Sequence, residues 1–282
     1  MLHSQMIIHL NPTLKISFTV LFILLSWGTH ANTLPPDLTY KGSPIDPYCI
    51  SSLAEGEARF EAVQLSQCLK KKESIEISPS SSPLLEKSFE GYEYHHPEYC
   101  IGNICYVFWK VIAQVGEHRY LIWIENASGS TGRFSSLLVL ERQGDRIQNI
   151  LELTAGDRSF LGIVDVRYKD GEVFVQQRAT PSIILEECMT HFNPHHPALS
   201  QQDLPTCAVC ESGILFRKGL LKENSLKTYE IHFHALSETN LPPPSSPWQK
   251  RFNTAVSEVL KTKKGILTES EMKAFAQAVC HC

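Results

Sequence analysis

Cysteines are the residues of this sequence with the clearest capacity for chemistry, and the chain has nine of them among 282 residues. The cytosol keeps thiols reduced, whereas disulfides form and persist in oxidising compartments. So many cysteines therefore favour an oxidising compartment and a disulfide-braced protein. Because nine is an odd number, at least one cysteine has no intramolecular partner.

One pair of cysteines is predicted from hairpin geometry. A two-residue turn at Gly102-Asn103 places Cys100 and Cys105 opposite each other at a non-hydrogen-bonded position of a hairpin. Side chains are closest at such positions, and a disulfide fits there. We therefore expect a Cys100–Cys105 bridge.

A second pair is predicted near the start of the chain. Cys49 and Cys68 can pair if the chain reverses near Gly56. One straight helix between the two cysteines would hold their sulfur atoms too far apart for a bond. A Cys49–Cys68 bridge therefore requires that the helix between them is interrupted.

The disulfide pairing of the last five cysteines is not determined by their spacing. A bond between Cys280 and Cys282 would close a small, strained ring. We therefore expect at least one of the two to bond to a cysteine of the middle section and to tie the last helix to the sheet. The candidate partners are Cys188, Cys207 and Cys210, and a cysteine left over from these pairings is the odd thiol.

The same middle section allows a metal site as an alternative. Thiolates and imidazoles are the ligands of tetrahedral zinc sites. An exported chain uses its cysteines more simply in disulfides, so we predict no cofactor and keep zinc as the alternative. The spacing of Cys207 and Cys210 also suits a redox dithiol, but no βαβ unit surrounds it. The zinc ligands would be Cys188, His191, Cys207 and Cys210.

Serine chemistry has one candidate, the stretch 128–136, which includes Ser130, Ser135 and Ser136. The sequence Ser-Gly-Ser-Thr-Gly approaches the G-x-S-x-G motif of a nucleophile elbow, but Ser128 stands where the first glycine belongs, and a strand follows where a helix is needed. We predict a hairpin connection and keep a serine hydrolase centred on this loop as a second alternative. The stretch lacks the lysine of a phosphate-binding loop, so nucleotide binding has no support.

Two further polar groups are interpreted as structural. Glu230, His232 and His234 share one face of a predicted strand whose other face is apolar, which is the pattern of a half-buried strand. The segment 156–158, Gly-Asp-Arg, has turn chemistry and a local ion pair. Neither group is assigned catalysis.

The first segment of the chain indicates export. Lys15 precedes an uncharged, mostly apolar run over 16–27 and the small-residue stretch 28–31, which predicts a secretory signal peptide cleaved after Ala31. The apolar run is shorter than the roughly 20 residues that span a bilayer. No later segment is apolar enough to span one. We expect a periplasmic or secreted protein whose mature chain begins at Asn32.

The composition and net charge of the chain argue against one class of partner, nucleic acid. The chain is 43% hydrophobic and 20% charged, as in ordinary folded proteins. Its formal net charge is −4 and it has no basic stripe, so we predict no binding to nucleic acid. An envelope or extracellular protein or ligand remains as the partner class.

Periodicity predicts an antiparallel meander of strands in a β-rich core over about 100–235. Runs at 107–115 and 119–125 are apolar on both faces of the alternation, which predicts a central hairpin covered on both sides and turning at Gly116-Glu117. Asp170-Gly171 predicts a type I′ hairpin turn. The turn residues 155–157 separate two other strands. Further strands are predicted at 137–140, 147–153, 163–168, 172–176, 214–217 and 228–235.

Helices are predicted at both ends of the chain. A helix over 248–261 stops near Gly265, and a capping box from Thr268 to Glu271 begins a final helix. A short helix is predicted over 46–53. We therefore expect an α+β fold, with a mostly antiparallel sheet and terminal helices packed on it. The predicted organisation is a single domain over 32–282 with proline-rich connectors at 78–83 and 241–247 and a C-terminal helical piece at 247–282.

Several of these segments together resemble a group of exported gammaproteobacterial proteins of unknown function. The segments are SGSTGRFSSL at 128–137, AGDR at 155–158, GEVF at 171–174 and TP at 180–181, and the opening DPYC at 46–49 is similar too. The resemblance implies bacterial export and a β-rich core. It implies no activity and no catalytic residues.

Together these patterns predict a disulfide-braced, exported protein of unknown function that acts by binding a partner. Export and the lack of a coherent active-site pattern favour a protein that is not an enzyme. The zinc protein and the serine hydrolase are the alternatives.

Overall fold

The structure is a computed structural model of the chain. It describes residues 34–54, 62–68, 78–79, 92–94, 106–128, 132–157, 160–190, 204, 211–233 and 246–280, and the statements below concern these. The elements described below belong to the unit Pro36–Cys282. The predicted signal peptide at 1–31 and the predicted hairpin at 100–105 lie outside the described residues.

The N-terminal segment is a compact strap of short elements. A turn of 3₁₀ helix at Pro36–Leu38 leads into a ribbon of β1 (Thr39–Tyr40) and β2 (Ser43–Pro44), and helix α1 (Pro47–Ser51) follows. Helix α1 is a shorter version of the helix predicted over 46–53. We call residues 36–54 the N-terminal strap.

Seven antiparallel strands form the larger sheet. They are β3 (Ala62–Gln64), β4 (Ser78–Pro79), β5 (Tyr92–Tyr94), β6 (Tyr106–Gly116), β7 (Arg119–Ser128), β8 (Gly132–Gln143) and β9 (Arg146–Asp157). Their order across the sheet is β3-β9-β8-β7-β6-β5-β4. The proline-containing β4 lies at the edge, where a missing N–H removes no ladder bond.

Five antiparallel strands form the smaller sheet, in chain order. They are β10 (Ile163–Lys169), β11 (Glu172–Ala179), β12 (Gly213–Leu220), β13 (Lys227–Phe233) and β14 (Ile266–Thr268). The remaining helices are α2 (Leu65–Cys68), α3 (Pro181–Thr190), α4 (Pro247–Lys263) and α5 (Glu269–Cys280). No described helix is long and apolar enough to cross a membrane.

The predicted α+β class with mostly antiparallel strands is confirmed, but the strands form two sheets where one was expected. The chain leaves the larger sheet after Asp157 and enters the smaller one at Ile163. A Cβ at Gly156 would lie 2.2 Å from the carbonyl carbon and oxygen of Leu161, so the returning chain lies directly on β9 at a glycine. The crossover is then held to β11, because Leu161 N–H donates to the Arg178 carbonyl at 2.9 Å.

Of three turns predicted from the sequence, the structure confirms one, shifts one and contradicts one. Asp170 and Gly171 both have positive φ, 53° and 85°, as a type I′ turn requires. The β6–β7 turn lies one residue later than predicted, at Glu117-His118. The turn predicted at 155–157 is wrong, because β9 continues through Asp157.

Both faces of the central β6–β7 hairpin are buried, as predicted. On one face Phe108, Leu121 and Trp123 pack against valines of β10 and β11 and form the inter-sheet core. On the other face the N-terminal strap covers Trp109, whose Nε1 donates to the Ile45 carbonyl at 3.2 Å. The larger sheet is therefore the middle layer of three.

A second core lies between the smaller sheet and helices α3, α4 and α5. The rings of Phe233, Phe252 and Phe275 meet there, with centroids 5.5 to 6.4 Å apart. The predicted capping box is confirmed, since Thr268 N–H donates to the Glu271 carboxylate at 3.0 Å. A hydrogen bond from Lys263, then those from Thr268, lower the pKa of Glu271 to about 2.

One polar side chain joins the two sheets where the two cores meet. On the buried face of β11, Gln177 lies between Val175 of the inter-sheet core and Ala179 of the helical core, and it is fully buried. Its Nε2 donates to Thr154 Oγ1 on β9 at 3.0 Å and to the Leu161 carbonyl at 2.6 Å. Its Oε1 accepts from Arg217 Nη1 on β12 at 3.0 Å.

We predict that Gln177→Leu lowers the free energy of unfolding by about 2 to 4 kcal/mol, because buried polar groups on three elements lose a partner together. Urea unfolding of the oxidised protein measures the change. The matched control is Gln114→Leu on β6, where an exposed amide bonds only the Gly116 carbonyl. We expect the control to change stability by no more than about 0.5 kcal/mol. Equal losses in the two variants would contradict this role of Gln177.

Candidate functional site

The structure brings the described residues of two separate sequence segments, 128–136 and 155–158, to one place. In the β8–β9 ladder Ser135 pairs with Gly156, and Phe134 pairs with Asp157. Arg133 N–H donates to Asp157 Oδ1 at 3.2 Å. We call the described residues of 128–136 and 155–161 the hairpin end of the larger sheet.

The predicted hairpin connection is confirmed, because Ser128 pairs with Gly132 across β7 and β8. Ser130 lies outside the described residues. Ser135 is 4% exposed, and its Oγ accepts the Ile163 N–H at 2.8 Å, so it joins the larger sheet to the start of the smaller one. Ser136 is buried as well.

A buried carboxylate lies beneath the hairpin end. Glu125 pairs with Ser135 across β7 and β8 and is 2% exposed. Arg133 donates to its Oε2 through Nη2 at 2.9 Å. Burial raises the pKa of Glu125, while the charge and hydrogen bond of Arg133 and the charge of Arg178 act in the opposite direction.

The charges around Glu125 continue between the sheets. Arg178 Nη1 on β11 lies 3.2 Å from Glu211 Oε2, and both side chains are partly exposed. Two carboxylates thus alternate with two guanidinium groups from β7 to the start of β12. Ion pairs of this kind orient elements and are costly to break on one side. We interpret the set as the support that fixes the hairpin end on the smaller sheet.

Two aromatic rings on the hairpin end are exposed to solvent. Phe134 is 44% exposed and Phe160 is 48% exposed. Both are joined to Asp157, Phe134 through the β8–β9 ladder and Phe160 through an antiparallel bridge. Residues directly opposite each other in antiparallel pairs project on the same face. Phe134, Asp157 and Phe160 therefore form a row, which we call the aromatic edge.

Exposed large apolar residues are few in the part of the chain that the structure describes. They are the two rings of the aromatic edge and Ile150, which is 37% exposed. The aromatic edge was not predictable from the sequence, because Phe134 has the pattern of an ordinary strand residue and the position of Phe160 depends on the crossover. Glu125 had one weak signal, a single carboxylate directly after the apolar run 120–124.

A second polar cluster attaches the N-terminal strap to the turn end of the larger sheet. The Asp37 carboxylate accepts from Tyr120 at 2.8 Å and lies 2.8 Å from His118 Nδ1. The hydrogen bond with His118 lowers the pKa of Asp37 and raises that of His118. Burial, followed by the bond to Asp37, raises the pKa of Tyr120 to about 12. These contacts explain the cluster as an anchor.

The structure describes three cysteine side chains. Cys49 and Cys280 are each disulfide-bonded, and Cys188 is a free thiol. Cys188 was one of the predicted bridge partners, and that candidacy is wrong, because α3 places its side chain fully buried in the apolar helical core. The pairings of the remaining cysteines stay predictions. Their side chains lie outside the described residues, and they are Cys68, Cys100, Cys105, Cys207, Cys210 and Cys282.

Of the predicted zinc ligands only Cys188 is described. Burial raises the pKa of its thiol well above the usual value, whereas zinc binds the thiolate. Within the described ranges no three His, Cys, Asp or Glu side chains are grouped so that they could hold a metal ion. His191, Cys207 and Cys210 lie outside those ranges, so the zinc alternative stays a prediction.

The polar face of β13 is occupied by local contacts. His232 Nε2 lies 3.0 Å from the Glu230 carboxylate, and its ring stacks on Phe216 with centroids 4.0 Å apart. His234 lies outside the described residues. The contacts agree with the structural interpretation of this strand.

No protein-family model matches the chain, and no curated protein or solved structure shows a significant match to it.

We predict that Glu125 makes stability fall as the pH rises. Its raised pKa means that the folded protein keeps the proton at pH values where the unfolded chain has released it, so higher pH favours unfolding. Glu125→Gln removes this dependence. The free energy of unfolding of the variant minus that of the wild-type protein should therefore increase as the pH rises above the ordinary pKa of a glutamate, about 4.3.

Urea unfolding at a series of pH values measures this difference. Glu223→Gln is the matched control, because that residue is exposed in the 3₁₀ turn Leu221–Glu223 after β12. A difference for Glu125→Gln that stays flat or shrinks with rising pH would show that burial does not control this carboxylate.

Proposed function

We propose that the chain is an exported, disulfide-containing protein that acts by binding a partner protein at the aromatic edge, and that it is not an enzyme. The nine cysteines and the apolar segment at 16–27 support export into the periplasm or the medium. The bonded states of Cys49 and Cys280 agree with an oxidising compartment. Cleavage after Ala31 belongs to the same proposal.

Disulfide bracing is part of the proposal, and the position of the N-terminal strap supports a bond from Cys49 to Cys68. Asn149 Nδ2 on β9 donates to the Leu53 carbonyl at 3.1 Å, just after α1. Leu65 N–H, at the start of α2, donates to the Asp145 carbonyl beside β9 at 2.9 Å. The chain therefore returns to the same strand between α1 and α2, as the pairing requires.

The other proposed bridges follow from the cysteines that remain. A bond between Cys100 and Cys105 would close the hairpin before β6. Because Cys188 is free, Cys207 and Cys210 remain as the middle-section partners for Cys280. That bond would tie the end of α5 to the chain between α3 and β12.

The observation that carries the binding proposal is the exposure of Phe134 and Phe160 on either side of Asp157. Complete burial of a phenylalanine side chain contributes about 1.5 to 3 kcal/mol, so two half-exposed neighbouring rings leave part of that free energy for a partner. Aromatic residues are also enriched at the centres of interfaces.

The contacts beneath the aromatic edge hold its strands in place, as a preformed binding surface requires. The Glu125–Arg133 ion pair and the Ser135–Ile163 hydrogen bond fix the strands that carry the rings. A surface held in this way loses little conformational entropy when a partner binds. The partner class is an envelope or extracellular protein with an apolar surface, with a cation facing Asp157 for electrostatic complementarity.

We predict that a photo-crosslinking p-benzoylphenylalanine at position 160 forms an adduct of defined mass in cells that export the chain. The same residue at position 150 is the matched control, because Ile150 is an exposed apolar residue away from the edge. Phe134→Ser combined with the crosslinker at 160 should reduce the adduct by about tenfold or more, because one ring of the surface is lost.

Three results would contradict the binding proposal. They are no adduct at position 160, equal adducts at 150 and 160, and an adduct at 160 that Phe134→Ser leaves unchanged. Thermal unfolding of each variant shows that the fold is intact. Stoichiometric zinc in the oxidised protein would favour the metal alternative, and ester or peptide turnover lost in Ser130→Ala would favour the hydrolase.

A further inference from the structure

A groove of about 680 Å³ lies between α4 and α5, away from the aromatic edge. Its floor is apolar and formed by Val259, Leu267 and Phe275, which are 6%, 2% and 5% exposed. Small side chains keep the space above the floor open. Those on its walls are Ala255, Ala274, Ala278, Thr254 and Ser270.

The groove runs along most of α4. Its α4 wall runs from Lys250 to Lys263, thirteen residues apart, which corresponds to about 20 Å at the rise of an α-helix. The α4 rim carries the exposed polar side chains Lys250, Thr254 and Glu258 along this length. The floor between the rims is apolar, so it suits an extended hydrocarbon chain, which has no polar groups to pair along its length.

The two ends of the groove differ in charge. At one end Lys263 and Glu271 form an ion pair and neutralise each other. At the other end Lys250 and Arg251 have no carboxylate partner among the described residues. Arg251 is held in place there, because its Nε donates to the Val279 carbonyl at 2.5 Å and its guanidinium lies 4.8 Å from the Trp248 ring centroid.

We propose that this groove binds a single-chain fatty acid. The carboxylate lies at the cationic end against Lys250 and Arg251, and the hydrocarbon chain extends along the floor towards Leu267. Glu258 lies about two helical turns from Lys250, so it faces the chain and not the head group. The site is independent of the aromatic edge and of the binding function proposed for it.

Dodecanoate below its micellar concentration is the probe, added to the mature protein with its disulfides intact. Trp248 reports occupancy by fluorescence, because Arg251 stacks on its ring while Trp109 and Trp123 are buried elsewhere. We expect saturable binding of dodecanoate. Dodecanol and dodecyltrimethylammonium, which have the same chain but no negative head group, should bind at least tenfold more weakly.

Two variant pairs locate the site. Ala274→Phe fills the groove and should abolish the response, whereas Gln277→Phe on the exposed, non-lining side of α5 should preserve it. Lys250→Glu should weaken dodecanoate at least tenfold with little effect on dodecanol. Lys227→Glu makes the same charge change on β13 and should leave both probes unchanged.

The head-group variant needs no added bulk, so it tests the site even if Ala274→Phe fails to fold. Absence of saturable dodecanoate binding would overturn the proposal. So would dodecanoate binding that Lys250→Glu leaves intact, or equal affinities for all three probes.

Discussion

The arrangement of this fold depends on one buried amide. Gln177 is the point at which the larger sheet, the crossover and the smaller sheet share hydrogen bonds. Apolar contacts bring the sheets together without specifying their relative position, because hydrophobic burial has no direction. A buried amide that needs three partners does specify it, since any shift leaves polar groups unpaired. Arg217 extends this constraint to helix α3, because its Nη2 lies 3.7 Å from Glu187 Oε1.

The aromatic edge follows from how the chain crosses between the sheets. Gly156 lets Leu161 lie directly on β9, and the Asp157–Phe160 bridge then places the Phe160 ring beside Phe134. The crossover itself is fixed because Gln177 bonds the Leu161 carbonyl. The same interaction that sets the relation of the two sheets thus sets the surface that we propose for the partner. The segment after β9 therefore both connects the two sheets and carries one ring of the proposed binding surface.

Local signals in the sequence were sufficient for much of the fold. Asp170-Gly171 specified its own turn, and Thr268 with Glu271 specified the start of α5, because these features depend on residues a few positions apart. The division into two sheets was not predictable in this way. It depends on contacts between distant segments, such as the bond from Leu161 to Arg178 and the close approach at Gly156.

The candidate site was less predictable than the fold. The stretch 128–136 was singled out for its serines, yet the structure draws attention to Glu125 below it and to the exposed ring of Phe134 within it. Burial of Glu125 and exposure of Phe134 are consequences of which face of β7 and β8 meets the smaller sheet. Cys188 shows the same limit. It was a candidate partner for Cys280 or Cys282, but the packing of α3 in the helical core leaves it a buried free thiol.

Export into a compartment where the cysteines are oxidised is the central claim made for this protein. Intact-mass and peptide mass spectrometry of the protein recovered from such a compartment, alkylated under denaturing and non-reducing conditions, tests this most directly. We predict a chain that begins at Asn32, in which Cys188 is alkylated and Cys49 and Cys280 are not. A chain that retains residues 1–31, or one in which Cys49 or Cys280 is alkylated, would contradict this claim.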